Sequence, residues 1–300
     1  MMKKVGFIGL GEMGKPMALN LLKAGYELWV YDLLPERVDL LVAEGAHAAT
    51  SPAEIGELTE STVIMVPASV HVREAVLGAN GLLKGTQPDQ VCIIMSTVDP
   101  MTVQDVAREL AGKGARTIDA PVARSRAAAE KGTLAIFVGG AEADYETCLP
   151  LLEVMGSDIF YVGQLGNGQV VKIVNNMILG TQVAVLAEGL VLGVKAGVDP
   201  DVLVDSLEAG SASSFALKHH MKTYAMRDDL EGRFSVNYIM KDLELALSTG
   251  QHHHVPLAFT ALAQQMYERA RASGWGDLYY PVVLHDLENL TGVKVRTKNP

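Results

Sequence analysis

At 300 residues, with 49% hydrophobic and 20% charged side chains, the chain carries enough apolar material for two packed cores and has no segment of disordered composition. A net charge of -10 excludes a nucleic-acid surface, which needs basic patches to neutralise phosphates, so a small anion would have to be met by locally placed cations or backbone amides. Two cysteines, Cys92 and Cys148, exclude a disulfide framework and point to buried thiols in a reducing, cytoplasmic setting.

The opening MMKKVGFIGL imitates the basic start of a signal peptide, but its apolar part is short and broken by glycine. Nor does any stretch reach the roughly 18 apolar residues of a membrane span. In chain order, KKVGFIG, ELWVYD, STVIMVP, QVCIIMST, ARTID, TLAIFVGG and SDIFYVG read as strands, and segments with apolar spacing of three and four separate most of them. Strand and helix in alternation mean a mainly parallel sheet with helices on both faces. The pattern changes at Gly163 to Gly168. From Asn167 to Gly197 an apolar, proline-free run predicts one helix about 46 Å long, apolar nearly all round and so buried against other helices or subunits. Helical patterns continue to the end. The expected domains are therefore 1–165, α/β, and 166–300, all helical.

Gly9-Leu10-Gly11-Glu12-Met13-Gly14 lies directly after the first strand and opens a helix, and Asp32 ends the second strand. Gly9 suits a tight turn, Gly11 lets amides approach a pyrophosphate, and Gly14 allows close helix packing, while the helix end supplies partial positive charge. Asp32 would accept hydrogen bonds from an adenosine ribose and repel a 2'-phosphate, which favours NAD over NADP; Arg37 lies near enough in sequence to keep NADP possible. The bland alternative is a glycine-rich turn with no ligand.

Lys172, Asn175 and Asn176 are spaced i, i+3, i+4 and share one face of the long helix, with Gly168 and Gly180 clearing room a turn to either side. Either they bridge neighbouring parts of the protein, or the lysine transfers a proton at a substrate oxygen while an asparagine fixes its position. His252-His253-His254 and His219-His220 are expected to be solvated turns rather than metal ligands, and Lys241-Asp242 an exposed helix charge pair.

Taken together, GFIGLGEMGKPMALNL, MVP at Met65 to Pro67, STVDP at Ser96 to Pro100, DAPV with GTL and VGG at Asp119 to Gly140, GNGQVVKIVNN and KDLELAL at Lys241 to Leu247 resemble the β-hydroxyacid dehydrogenases over essentially the whole chain. That family includes 3-hydroxyisobutyrate dehydrogenase, tartronate semialdehyde reductase, 2-(hydroxymethyl)glutarate dehydrogenase and sulfolactaldehyde reductase. The resemblance implies a Rossmann-type doubly wound sheet followed by an all-helical domain, a homodimer or homotetramer, and metal-independent hydride transfer with NAD or NADP. Lys172 would be the catalytic acid/base and Asn176 its partner. Gly9, Leu10, Gly11, Glu12, Met13, Gly14, Asp32, Val66, Pro67, Thr97, Phe234 and Lys241 would contact the dinucleotide. Ser96, Thr97, Ala123, Arg124, Ser125 and Asn175 would line the substrate, a small anionic 3-hydroxy acid or its semialdehyde. The alternatives are an NADP-dependent semialdehyde reductase and a non-catalytic dinucleotide-binding regulator, and the intact Lys172 separates the second from an enzyme.

One departure stands out. Most of the family has Ser-Gly-Gly after DAPV, whereas this chain has Ala123-Arg124-Ser125. A guanidinium there would suit a second anionic group or a sulfonate, and sulfolactaldehyde reductase is similar in having an arginine at this position. The competing expectation pairs Arg124 with solvent or Glu130, and Arg126 is expected on the surface at the start of a short helix.

Overall fold

The computed structural model describes residues 3–297. Contacts divide the chain into two compact units, Met1–Lys172 and Ile173–Pro300.

In the first unit, β1 (Lys4–Ile8), β2 (Glu27–Tyr31), β3 (His47–Ala48), β4 (Ser61–Ile64), β5 (Val91–Ile94), β6 (Arg116–Asp119), β7 (Val122–Ala123), β8 (Leu134–Gly139) and β9 (Gly156–Gly163) form one sheet. Its order is β3-β2-β1-β4-β5-β6-β8-β7, with β9 on β8. Strands β1 to β6 are parallel, as are β8 and β9, while β8 runs antiparallel to β6 and β7. This is a Rossmann-type doubly wound sheet. Near-continuous apolar runs such as VGFI and VCII suit strands covered on both faces. One core lies around Phe7, Met17, Leu21 and Leu152, and another around Ile8, Ile55, Ile94 and Val103. Cys92 and Cys148 are free and buried, one in each core, and burial pushes both thiols up to about 12. They therefore stay protonated and unreactive.

The pairs Ser51-Pro52 and Asp99-Pro100 each open a helix: the first side chain accepts a hydrogen bond from the first turn, and proline takes a position that needs no amide donor. Asp199-Pro200 does the same in the second unit. The long helix runs from Asn167 to Lys195 and begins inside the first unit. The division between the units falls within it, between Lys172 and Ile173, and Gly168 and Gln169 pack on the sheet. The helix is not enclosed all round: Val183, Ala187 and Leu190 are buried, but Val185 and Leu192 are 58% and 71% exposed. By length and composition it could cross a membrane even though glycines and polar residues interrupt every apolar run. In the second unit it belongs to a core with Leu217, Ile239, Tyr267 and Tyr280.

His219-His220 is not a solvated turn. Both residues lie in a wide-turned helical segment, Ala216–Lys222, and His220 is buried with its Nδ1 hydrogen-bonded to the Tyr279 hydroxyl. Burial pushes its imidazole down to about 4, so it is neutral. The His252–His254 run ends a helix and is exposed.

Candidate active site

Strands β1, β2, β4, β5 and β6 run parallel and so bring the turns that follow them to one sheet edge, and strand order reverses between β1 and β4. At that reversal stands the glycine turn. Gly9 has φ +97°, and a side chain there would meet the Met65 carbonyl at 2.2 Å. Gly14 presses against the Gly9 carbonyl, where an added Cβ would lie at 1.9 Å. By contrast, a Cβ on Gly11 would meet only Arg37 Nη1, at 3.8 Å, so the turn is open on that side. The helix Gly14–Lys23 follows, and Met13 at its N-cap makes no side-chain hydrogen bond to it. Lys15 donates its amide to the Gly11 carbonyl and Pro16 has none, so what the helix start offers an anion on the open side is chiefly its partial positive charge.

Asp32 closes β2 against this turn. Its Oδ2 accepts from the Leu10 amide at 2.7 Å and its Oδ1 from the Leu34 amide at 3.0 Å, with Arg37 Nη1 3.5 Å from Oδ1. The carboxylate is thus held in place by the turn it serves. Glu12 points instead to Arg126, whose guanidinium joins it to Glu130. Arg126 is on the surface at the start of the helix Arg126–Glu130.

Two further turns meet through Ser96. Its hydroxyl accepts from the Val66 amide at 2.7 Å, linking the Met65–Pro67 turn after β4 to the Ser96–Thr97 turn after β5. Ser96 is buried, Val66 half-buried and Pro67 exposed.

The start of the long helix is seated on the same edge. Asp119, at the end of β6 and fully buried, accepts from the Gly166 amide on Oδ1 and the Gln169 amide on Oδ2, both at 2.7 Å. Gln169, also fully buried, donates from Nε2 to the Ser96 carbonyl and accepts on Oε1 from the Val98 amide, each at 2.9 Å. Burial pushes the Asp119 carboxyl up to about 6, an effect the amides of Gly166 and Gln169 only partly offset. Gln169 and Lys172 are three residues apart on one helix and share a face, with Asn176 a turn beyond. Neither Asp119 nor Gln169 stood among the candidate residues, although an aspartate closing a strand directly before Ala-Pro was visible in the sequence.

Within the second unit, Asn176 is buried and donates from Nδ2 to Asp242 Oδ2 while accepting on Oδ1 from Asn175 at 2.9 Å. Asp242 is also buried and lies 2.9 Å from Lys241 Nζ. Lys241-Asp242 is therefore no exposed pair: the motif's aspartate holds the helix asparagine. Phe234 stacks on Tyr238, with ring centres 5.7 Å apart.

The Ala123–Ser125 turn follows β7. Arg124 has φ +82°, a conformation natural to glycine and strained for arginine. Its guanidinium donates to the Thr133 carbonyl at 2.6 Å and to Ser157 Oγ at 3.1 Å, and pairs with Asp158 at 2.7 Å. The expected partner Glu130 belongs to Arg126 instead.

Residues 4–163 match the family described as the NAD binding domain of 6-phosphogluconate dehydrogenase, and residues 166–280 match that described as NAD-binding of NADP-dependent 3-hydroxyisobutyrate dehydrogenase. The 2-(hydroxymethyl)glutarate dehydrogenase of Eubacterium barkeri is 40% identical over 97% of each chain. Among solved structures, the 3-hydroxyisobutyrate dehydrogenase of Mycobacterium tuberculosis with L-serine aligns with a TM-score of 0.89 at 29% identity, covering 96% of this chain and 99% of that one. Psf3 in complex with NADP+ and 2-OPP aligns at 0.83 and 26%, covering 94% and 99%.

Proposed function

We propose a substrate class and a proton carrier for this chain, which belongs to the β-hydroxyacid dehydrogenase family and is an NAD(P)-dependent oxidoreductase acting on a CH–OH group. The substrate is a small anionic 3-hydroxy acid, or a sulfonate analogue, interconverted with its semialdehyde, and Lys172 is the acid/base. The observation that carries this is the seating of the long helix: Gln169 is bonded to the Ser96 carbonyl, and Lys172 follows it on the same helical face.

The glycine turn suits a dinucleotide, because it is open at Gly11 and presents a helix start to an anion. Gly9, Leu10, Gly11, Glu12, Met13 and Gly14 would hold the pyrophosphate and Asp32 the adenosine ribose, with Val66, Pro67 and Thr97 as further contacts. When bound, the nicotinamide accepts or supplies the hydride. NAD(H) is the proposed form, since the Asp32 carboxylate, fixed by two amides, would repel a 2'-phosphate; Arg37, paired with it, supports NADP(H) as the second reading.

In oxidation the neutral amine of Lys172 takes the proton of the substrate hydroxyl as the carbonyl forms, and in reduction its ammonium returns that proton. Asn176, anchored by Asp242, fixes the polar face on which this happens. The carboxylate would be met at the Ala123–Ser125 turn, with the Ser96–Thr97 turn as a further contact. Arg124 contributes its backbone there, because its guanidinium is already bound to Thr133, Ser157 and Asp158. A homodimer or homotetramer in the cytoplasm completes the proposal. It is supported by the exposed apolar side chains of the helical unit, Phe259 at 78% and Leu262 at 64% among them, and sedimentation would give its mass.

The test is a panel of 2-(hydroxymethyl)glutarate, 3-hydroxyisobutyrate and the sulfolactaldehyde, tartronate, methylmalonate and succinate semialdehydes, assayed with NAD(H) and NADP(H). Lys172→Ala should lower kcat by about 10²–10⁴-fold and leave NADH binding intact. Retained turnover would end the mechanism. Arg124→Ala should change all the substrates alike; a loss confined to those with a second anionic group would make Arg124 the selector.

A further inference from the structure

The carboxylate of Asp119 spans the start of the long helix. One oxygen accepts from Gly166, ahead of the first turn, and the other from Gln169 within it. Two glycines make room for it. A Cβ on Gly139 would lie 2.5 Å from Asp119 Oδ1, and one on Gly168 would lie 2.7 Å from Oδ2 and 2.3 Å from the Phe137 carbonyl. Gln169 then ties the same turn to the ends of β5 through Ser96 and Val98. A buried carboxylate is costly to keep ionised, but an apolar side chain here would leave the Gly166 and Gln169 amides without their acceptor. Lys172 comes next on that helical face.

We infer that Asp119 is a positioning residue for the reaction: with Gln169 it clamps the first turn of the long helix to the sheet edge and so sets where Lys172 stands relative to the turns after β4 and β5. This rests on Lys172 being the proton carrier. Asp119 touches neither substrate nor cofactor in this scheme, and its contribution passes through the helix. The geometry also explains why a residue so far back in sequence matters to the lysine. A side-chain acceptor at a helix start fixes the direction in which the helix leaves, and a small tilt there displaces every residue of the following turn.

The experiment compares the full-length wild type with Asp119→Asn, Gln169→Met, Lys172→Ala and the Asp119→Asn/Lys172→Ala double variant, with 2-(hydroxymethyl)glutarate and 3-hydroxyisobutyrate as probe substrates. Circular dichroism reports folding, NADH fluorescence reports cofactor affinity, and hydrogen exchange reports the peptide spanning residues 164–176. Asp119→Asn should stay folded, exchange faster in that peptide and lose about tenfold or more in kcat, with the NADH dissociation constant changed by less than about threefold. Gln169→Met should move the same readouts in the same direction. In the Lys172→Ala background Asp119→Asn should cause no further loss, since the residue it positions is gone.

A folded Asp119→Asn with wild-type kcat overturns the inference, as does a loss confined to NADH affinity or a further loss in the double variant. If both single variants fail to fold, the seat is part of the fold alone and the inference also falls. Full turnover in Lys172→Ala would instead overturn the assignment of the proton carrier, and unchanged exchange in Asp119→Asn would separately refute the clamp.

Discussion

The glycine turn after β1 and the seat of the long helix lie on one edge of one sheet, and each sets a carboxylate against main-chain amides. They are nevertheless built from different kinds of information. Asp32 reaches the Leu10 amide across 22 residues of a single strand-helix-strand unit, and Gly9 and Gly14 have a conformational or steric reason to be glycine. Asp119 reaches Gly166 and Gln169 across 47 and 50 residues, and Gln169 reaches Ser96 across 73. The first is a local motif whose purpose is to stay open. The second is closed, dry and assembled only when the chain has folded. One sheet edge thus combines an open turn with a closed, hydrogen-bonded seat for a helix.

That contrast can be broken by adding one methyl group to each region. Gly9→Ala places a β-carbon at a positive φ and 2.2 Å from the Met65 carbonyl. The expected outcome is a loss of roughly 3 kcal/mol or more in stability, with NADH affinity falling in whatever protein remains folded. Urea titration and NADH fluorescence measure the two. Gly168→Ala adds a residue with better helix propensity, but its β-carbon meets the Phe137 carbonyl and the Asp119 carboxylate, so the clash should outweigh a gain of about 1 kcal/mol. Here kcat should fall more than cofactor affinity. Equal effects of both substitutions on NADH binding would show that the two regions do not divide the work.

A second measurement sharpens the electrostatic half of the comparison. Burial raises the Asp119 carboxyl from its ordinary 3.8 to about 6 in the folded chain. A folded pKa above the unfolded one means that the native state binds the proton more tightly. Asp119 therefore favours folding fully below pH 4, and that contribution is lost as pH rises through 6. The stability of the wild type relative to Asp119→Asn should fall by on the order of 3 kcal/mol between pH 4 and pH 7, as followed by urea titration. A difference that grows with pH would mean that the amides outweigh burial.

The smallest effect concerns the arginine that replaces a glycine. Because Arg124 sits at φ +82°, Arg124→Gly should be more stable than Arg124→Ala by roughly 1 kcal/mol, although both lose the same half-exposed pair with Asp158. Thermal melts of the two variants decide it; equality would mean that the turn relaxes.

Much of this was legible before folding. Seven strands, the glycine turn, the end of β2 at Asp32 and the lysine-asparagine face all follow from periodicity and local stereochemistry, which act within a turn or two of the chain. The two-residue strands β3 and β7 are too short to carry an alternating pattern. Asp242 and His220 looked like surface polar residues because burial is decided by what packs on a helix, not by the helix's own spacing. Arg124 had Glu130 nearby in sequence, yet the turn geometry delivers its guanidinium to Asp158 and leaves Glu130 to Arg126.

Local sequence was thus enough for the strand and helix succession, the glycine turn after β1 and the polar face of the long helix that carries Lys172, Asn175 and Asn176. Which carboxylates are buried and what they hold became visible with the fold: Asp119 at the start of the long helix and Asp242 on Asn176. The reason is physical. Local order depends on torsion preferences and neighbouring side chains, whereas desolvating a carboxylate and satisfying it with amides requires distant segments to arrive together.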